Sequence, residues 1–418
     1  MLNTAQYPVV ATVADRLGYG LLLFLSLAVS LTYFPLMEGG QVASVALAGV
    51  WHKMIVAVFG LLVILSLFGE KTEIPPFFKT LGMLFALLLL VWLVLGAFFP
   101  VKDFGDEVKM ILFPLCAVWV GWRMKMDERR LTLLAGMFTV GVVMVGLAVV
   151  FMLGGGFSIR DYFADQKNAL GPMLATAAVL CMGMVINAKG KTALPMVLLG
   201  LALSALCVLL ILTIRARAAL LAVALVLSLM LFRRFKSRYT MLSLWVAILM
   251  LVAVFMLLPH SMKQYVHQSL FSGFSNGDIT SGRMVRNEQA LSVWALNPLF
   301  GHLLNPTEVE VVHNYPLWKL YSYGLVGAMP LLLIFFVLLV KDVKTIFAAE
   351  KGNILNAGVY TILVLFIVSM FEYTYPFVPG TVTVMSFVLL GIAIKTQDSN
   401  ARHAGHCFSE EKLNIELS

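Results

Sequence analysis

Charged side chains are scarce in this sequence, and their scarcity excludes an ordinary soluble protein. Asp, Glu, Lys and Arg make up 12% of the 418 residues, whereas a soluble domain carries roughly a quarter. Hydrophobic residues make up 61%, and the mean hydropathy is +0.93. Many apolar runs reach the roughly 18–20 residues that a helix needs to cross a bilayer, and they are too long and uniform for barrel strands. The composition therefore predicts an all-α polytopic membrane protein, because lipid tolerates no unpaired backbone groups.

Cysteines and acidic pairs are also few, which argues against a bound metal. The four cysteines are dispersed and lack metal-type spacing. No pair of the D-x-D type is found among the predicted outer residues. We therefore expect no metal and no cofactor. No cleavable signal peptide is evident, because the first apolar run follows Asp15 and Arg16 without a convincing cleavage site, and we expect it to be a span.

Hydropathy predicts about twelve spans. They lie near 17–36, 50–68, 79–99, 108–123, 131–153, 169–188, 194–212, 218–232, 241–258, 317–340, 354–372 and 380–395. The chain is thereby divided into nine spans in 1–258, a long loop with short helices in 259–316, three spans in 317–395, and a polar tail in 396–418. The long loop is the only extended stretch between predicted spans, and such loops usually carry a function or are disordered.

Lysine and arginine are concentrated in alternate loops, and this asymmetry predicts the topology. If the N-terminus is cytoplasmic, the clusters on the inner side are EKTEIPPFFK, RMKMDERR, KGK, RRFKSR and KDVKTIFAAEK. The tail is then cytoplasmic as well, and the long loop is periplasmic. The net charge of +8 is explained by this inner bias, so we expect a membrane lipid environment and no nucleic acid.

Two arginines oppose this trend. Arg215 and Arg217 lie in LTIRARAALL, a tight turn between two apolar runs on the predicted outer face. Arginine stays ionised, and its planar fork of donors matches phosphate, so a lipid-linked phosphate is the obvious anion there. On the turn alone, arginines that simply reach lipid headgroups are an equally good interpretation.

The long loop supplies a second pair of outer arginines. The stretch TSGRMVRNEQALSVWAL predicts a short helix that ends at Asn297-Pro298. Arg283 and Arg286 are spaced i and i+3, so both can point the same way. A solvated helix face is the ordinary interpretation of such a pair. Two separate outer elements with paired arginines nevertheless favour a shared anion site.

A histidine lies at the outer end of the tenth predicted span, in VVHNYPLWKLYSYGLVG. His313, followed by Asn314, can accept a proton near neutral pH, although an interfacial histidine bonded to backbone is the usual alternative. Tyr315 and Trp318 fit an aromatic belt or, less commonly, stacking on sugar rings. Lys319 follows about one turn further in and could contact phosphate or reach the interface.

Together these three pieces resemble the O-antigen ligase family, within a superfamily of membrane ligases and polymerases for lipid-linked glycans. The family has Gly-Arg, a helix and Asn-Pro-Leu-Phe-Gly, matched here by 282–283 and 297–301. It then has His-Asn, Leu and Gly-x-x-Gly, matched by 313–317 and 324–327. The family usually has one arginine at the first turn, and Arg217, followed by Ala-Ala-Leu-Leu, aligns better than Arg215. Which of the two is essential stays open.

The resemblance implies transfer of a polysaccharide from undecaprenyl diphosphate to a lipid A-core sugar, at the periplasmic face of a Gram-negative inner membrane. It implies an inverting, metal-independent reaction on a glycosyltransferase C-like fold, with the glycan donor and the lipid A-core acceptor as partners. The catalytic residues that it implies are Arg217, Arg283 and His313. The residues expected to contact substrate are Arg215, Arg286, Asn314, Tyr315, Trp318 and Lys319.

Other functions stay open at this point. A glycan polymerase of the same superfamily would use the same donor with a second lipid-linked glycan as acceptor, and a ligase could transfer to protein instead. A transporter of lipid-linked glycans would concentrate ionisable residues near the bilayer midplane. Mid-span charge is nearly lacking here apart from His52-Lys53 near one end and Glu372, which disfavours transport. A purely structural protein would leave the three outer polar elements unexplained.

Overall fold

The structure, a computed structural model, is built almost entirely of helices. It describes residues 7–38, 41–44, 49–68, 73–99, 104–152, 167–188, 193–214, 216–234, 282–303, 312–348, 357–373, 375–377 and 383–397. Within these ranges, helices α1 to α12 are Tyr7–Ser30, Gly49–Leu67, Pro76–Phe98, Phe104–Arg123, Glu128–Met152, Lys167–Asn187, Ala193–Thr213, Arg217–Arg234, Arg283–Leu296, Tyr315–Ala348, Ala357–Ser369 and Thr383–Gln397. Strands β1 (Pro35–Glu38) and β2 (Gln41–Ser44) form one antiparallel hairpin.

Seven of the described helices are long and apolar enough to cross a membrane, which confirms a polytopic all-α membrane protein. They are α1, α2, α3, α5, α6, α7 and α10. Eleven of the twelve predicted spans coincide with a helix, since α4, α8, α11 and α12 account for four more. The ninth predicted span, near 241–258, lies outside the described residues, as do most of the loop 259–316 and nearly all of the tail 396–418.

Helix α6 lies at the centre of the bundle, where it packs against α5, α7, α8 and α11. In the apolar 18-residue stretch of α6, 78% of the residues are buried, whereas 22% are buried in the corresponding stretches of α2 and α3. Small side chains let its neighbours approach closely, as is usual between membrane helices. At Gly171, near the start of α6, an added Cβ would lie 2.5 Å from the Cβ of Ala216 in the turn before α8. The start of α6 and the arginine turn are therefore packed together.

Helix α10 is two helical segments joined at Gly324. This residue has φ 61° and ψ −171°, a conformation that essentially only glycine adopts. The break frees backbone N–H groups that must find new acceptors in an apolar interior. Leu325 N donates to the Pro298 carbonyl at 2.9 Å, and Val326 N donates to the Leu299 carbonyl at 3.0 Å. The Asn-Pro-Leu-Phe-Gly stretch after α9 thus fits into the break in α10.

We expect Gly324→Ala to destabilise the protein, because alanine is strained at this φ and ψ and its Cβ would collide with the Leu299 carbonyl. The backbone strain alone should lower the free energy of unfolding by about 1–3 kcal/mol. Thermal unfolding of the purified protein in detergent measures the change. Gly82→Ala in α3 is the matched control, since a Cβ there meets nothing within 4 Å. Equal melting temperatures for the two variants would contradict the strained break.

Helix α9 packs against the first segment of α10. Ala290 is fully buried there together with Val312 and Tyr321, and Val293 packs against the same group. Leu291, on another side of α9, is 46% exposed. The helix predicted in the long loop is therefore attached to the bundle through one face, and this attachment sets the position of its first residue, Arg283.

Candidate functional site

A buried carboxylate organises the end of the bundle at which α6 and α10 begin. Glu372 lies three residues beyond α11, is 3% exposed, and is bound by three side chains. Arg283 forms an ion pair with it at 2.8 Å, from Nη2 to Oε1. The His313 Nδ1 lies 3.3 Å from Oε2, and the Asn168 amide donates to Oε2 at 3.2 Å. Residues that are far apart in the sequence thus converge on one acid.

The turn that follows α11 gives further acceptors to the same residues. Arg283 Nη1 donates to the Phe371 carbonyl at 2.8 Å, and Asn314 Nδ2 donates to the Met370 carbonyl at 3.3 Å. Asn314 also accepts from Leu317 N at 3.0 Å, which caps the start of α10. Arg283 and Asn314 therefore hold α9, α10 and α11 together at this end.

The geometry at His313 defines which ring nitrogen is available for chemistry. An ionised carboxylate can only accept hydrogen bonds, so the contact with Glu372 requires a proton on Nδ1. In the neutral ring, Nε2 then carries the lone pair. The side chain is 20% exposed, and its ring lies edge-on to Tyr373 with centroids 6.1 Å apart. This arrangement can orient the imidazole as a proton acceptor.

Asn168 links this cluster to the arginine turn. The buried Tyr375 hydroxyl donates to the Asn168 carbonyl at 3.0 Å, and burial raises the pKa of Tyr375, so the phenol keeps its proton. Gly171, which packs on Ala216, follows Asn168 by one helical turn, about 5 Å. Arg217 follows Ala216, begins α8 and is partly buried. Arg217 therefore lies at the same end of the bundle as Glu372.

Of the other two predicted arginines, only Arg286 lies within the described residues. Arg286 lies one turn along α9 from Arg283, with its side chain partly exposed. Arg215 lies outside the described residues.

Aromatic rings border the cluster. The Trp318 ring is partly buried and packs against Tyr373 and Tyr321, with centroids 5.7 Å and 5.6 Å away. Tyr321 in turn contacts the His302 ring nitrogen through its hydroxyl at 3.2 Å. Burial lowers the pKa of His302, so this second imidazole is neutral near pH 7. Its ring stacks on Tyr321. Trp318 lies next to Tyr373, the ring that flanks His313.

Two predicted substrate contacts have side chains buried in the interior. Tyr315 is 1% exposed, and its ring stacks on Phe335 and lies edge-on to Phe377. Lys319 is 3% exposed and forms an ion pair with Glu107 of α4. Their spacing explains this placement, because residues four apart share one face of a helix. The structure brings that face of α10 into the bundle, and Lys319 there connects α10 to α4.

Sequence reasoning assigned no role to Glu372 and did not single out Asn168. Glu372 did carry a signal, since it is one of the few ionisable residues predicted inside a span, and such residues are usually functional. Asn168 carried none that distinguishes it from other loop amides. Within the described part of the chain, no group of three or more His, Cys, Asp or Glu residues could hold a metal ion.

These features define a polytopic helical membrane protein with a buried ionic cluster at one end of its bundle. No protein-family model matches the chain, and no curated protein is significantly similar to it. The function must therefore be inferred from the cluster and from the motifs that converge on it.

Proposed function

We propose that the protein is an O-antigen ligase of lipopolysaccharide biosynthesis, which transfers a polysaccharide from undecaprenyl diphosphate to a lipid A-core sugar. The observation that carries the proposal is the convergence of Arg283 and His313 on Glu372. These residues belong to two of the three motif pieces that resemble the ligase family. The third piece supports the proposal as well, because its turn packs one helical turn from Asn168, which binds the same carboxylate.

The proposal includes a location and an architecture. The chain would be a multi-pass protein of a Gram-negative inner membrane, with both termini in the cytoplasm and about twelve spans on a glycosyltransferase C-like fold. Eleven helices that follow the predicted spans in order support this architecture. The bias of lysine and arginine toward the predicted inner loops supports a periplasmic position for the Glu372 end of the bundle, where lipid-linked polysaccharide would be available.

In the proposed reaction, His313 is the general base. Its Nε2 accepts the proton of the acceptor hydroxyl while the hydroxyl oxygen attacks the anomeric carbon of the donor. The bond from this carbon to the diphosphate oxygen breaks with inversion, and undecaprenyl diphosphate leaves. Glu372 orients the ring through Nδ1 and stabilises the imidazolium that forms, as the carboxylate does in other acid–histidine pairs. Glu372 is therefore a positioning residue.

The arginines would bind the diphosphate and stabilise the departing charge without a metal. Arg283 donates once to Glu372 and once to the Phe371 carbonyl, and the guanidinium has five N–H donors in all. Donors thus remain for phosphate, and the contact with Glu372 fixes the direction in which they point. Arg217 would supply the second main contact, with Arg215 and Arg286 as further sources of positive charge.

Arg217→Lys should reduce transfer although it keeps the positive charge. A lysine offers a point charge in place of the planar fork, so a two-point contact with phosphate is lost. A hydrogen bond to a charged group contributes about 1.5–3 kcal/mol, and we expect a fall in kcat/KM of about tenfold to a hundredfold. Steady-state transfer by the reconstituted protein measures it. Arg233→Lys, near the other end of α8, should leave kcat/KM unchanged. Full activity of Arg217→Lys would show that Arg217 contributes only its positive charge and no two-point contact with phosphate.

The decisive experiment is a transfer assay with the purified protein in liposomes, undecaprenyl diphosphate-linked glycan as donor and rough lipopolysaccharide as acceptor. We expect glycan on the lipid A-core at the same rate with and without a metal chelator. Elongation of a second lipid-linked glycan, with nothing joined to the core, would identify a polymerase. Movement of the donor across vesicles without any transfer would identify a transporter. Transfer that stops with chelator would overturn the metal-independent mechanism.

A further inference from the structure

An open groove of about 960 Å³ lies on the side of the bundle, away from the Glu372 cluster. One face of α5 forms its floor, and residues of α1, of the end of α6 and of α7 complete its walls. The apolar lining includes three methionines, Met137, Met184 and Met196. Methionine side chains adapt to irregular apolar ligands, so this lining suits a flexible hydrocarbon chain.

The length of the groove matches one leaflet of a bilayer. Its lining on α5 extends from Glu128, the first residue of the helix, to Val140. Twelve residues of α-helix rise by about 18 Å, and half of the hydrocarbon core is about 15 Å thick. The groove therefore reaches from the membrane surface to about the midplane, on the side that the basic loops assign to the cytoplasm.

The mouth of the groove carries one charge of each sign, on the exposed residues Glu128 and Arg129. The neighbouring charges are engaged elsewhere, since Arg130 forms an ion pair with Asp15 at 2.8 Å and Asp127 caps the Arg130 N–H at 2.7 Å. An adjacent carboxylate and guanidinium complement a headgroup that carries both an ammonium and a phosphate group. A purely anionic headgroup would meet repulsion from Glu128.

We propose that this groove binds one acyl chain of a phospholipid with a phosphate–ammonium headgroup, such as a phosphatidylethanolamine. Arg129 binds the phosphate, Glu128 binds the ammonium group, and the chain lies along α5 to Val140. The site is separate from the transfer reaction, because it opens at the end of the bundle where α5 begins and α6 ends, opposite to the Glu372 cluster.

Gly136 offers a way to fill the groove without distorting the helix. An added Cβ at this position meets nothing within 4 Å, although the residue lines the groove. Gly136→Phe should therefore occupy the space of the acyl chain, and glycine is in any case a poor helix former. Gly82→Phe in α3 is the matched control, since a Cβ there also meets nothing within 4 Å and the residue does not line the groove.

The test is photolabelling of the full chain in phosphatidylglycerol nanodiscs that contain a trace of phosphatidylethanolamine with a diazirine in its acyl chain. We expect labelled peptides within 128–140, mapped by mass spectrometry. Loss of contact with two methylene groups already corresponds to about tenfold in affinity, so Gly136→Phe should lower this labelling at least that much while Gly82→Phe keeps it. Unchanged labelling in Gly136→Phe would overturn the site.

Competition with unlabelled lipid tests the headgroup. Unlabelled phosphatidylethanolamine, added as a minor component of the phosphatidylglycerol discs, should displace the label from the wild-type chain. Glu128→Gln and Arg129→Gln, both exposed substitutions, should each remove this preference for phosphatidylethanolamine. If the label on the wild-type chain fell only in proportion to the phosphatidylglycerol that is replaced, the proposed headgroup recognition would be overturned.

Discussion

Glu372→Gln will remove nearly all glycan transfer, although it replaces a single oxygen by an amide nitrogen. The carboxylate is the only group seen to accept from Arg283, His313 and Asn168 together within the described part of the chain. An amide at this position can donate to the histidine ring, which would then carry its proton on Nε2, where the mechanism needs a lone pair. A general base contributes about 10²–10⁴-fold, and we expect a loss of kcat within this range.

Two further variants separate a positioning role of Glu372 from a role in stability alone. Glu372→Asp retains the negative charge on a shorter side chain, so it should keep the protein folded and recover part of the rate. Glu107→Gln removes another carboxylate that is paired in the interior, with Lys319, away from the cluster. It should lower the melting temperature, because breaking a buried ion pair costs about 3–5 kcal/mol, with kcat retained below that temperature. A wild-type kcat in Glu372→Gln would make the carboxylate purely structural.

The helices and their order could be predicted from the sequence, because an apolar run of span length has few other stable conformations in lipid. The break in α10 could not be predicted in the same way. Gly324 was matched only as part of Gly-x-x-Gly, and nothing in the sequence indicated that the 297–301 stretch would supply the missing hydrogen-bond acceptors at that point. Such a contact depends on tertiary packing, which hydropathy does not describe.

The candidate site also has features that the sequence predicts and features that depend on tertiary packing. Arg283 and His313 stood out because charge and imidazole are rare in this composition, and the structure brings both to one carboxylate. The sequence placed Tyr315 and Lys319 beside His313, only a few residues away. However, a helix turns by 100° per residue, and these two point into the bundle, where Lys319 meets Glu107. Proximity along the chain was therefore a poor guide to which side chains share a site.

His313→Ala should abolish most transfer while the protein remains in the membrane. The variant lacks the only group to which the mechanism assigns proton acceptance, so the loss should be about 10²–10⁴-fold. His313→Gln should be equally inactive, because glutamine can still donate a hydrogen bond to Glu372 but cannot take a proton near neutral pH. This second variant distinguishes proton acceptance from a role in holding the cluster together.

His302→Ala is the matched control, since it removes a nearby imidazole whose described contacts are with Tyr321. In a deletion strain complemented with each variant, ligated polysaccharide on lipid A-core is measured on gels, and protein in the membrane fraction is measured by immunoblot. We expect normal ligation with His302→Ala and free core with both His313 variants at equal protein levels. Normal ligation with His313→Ala would remove this imidazole from the mechanism, and Glu372 would then act through Arg283 on the diphosphate alone.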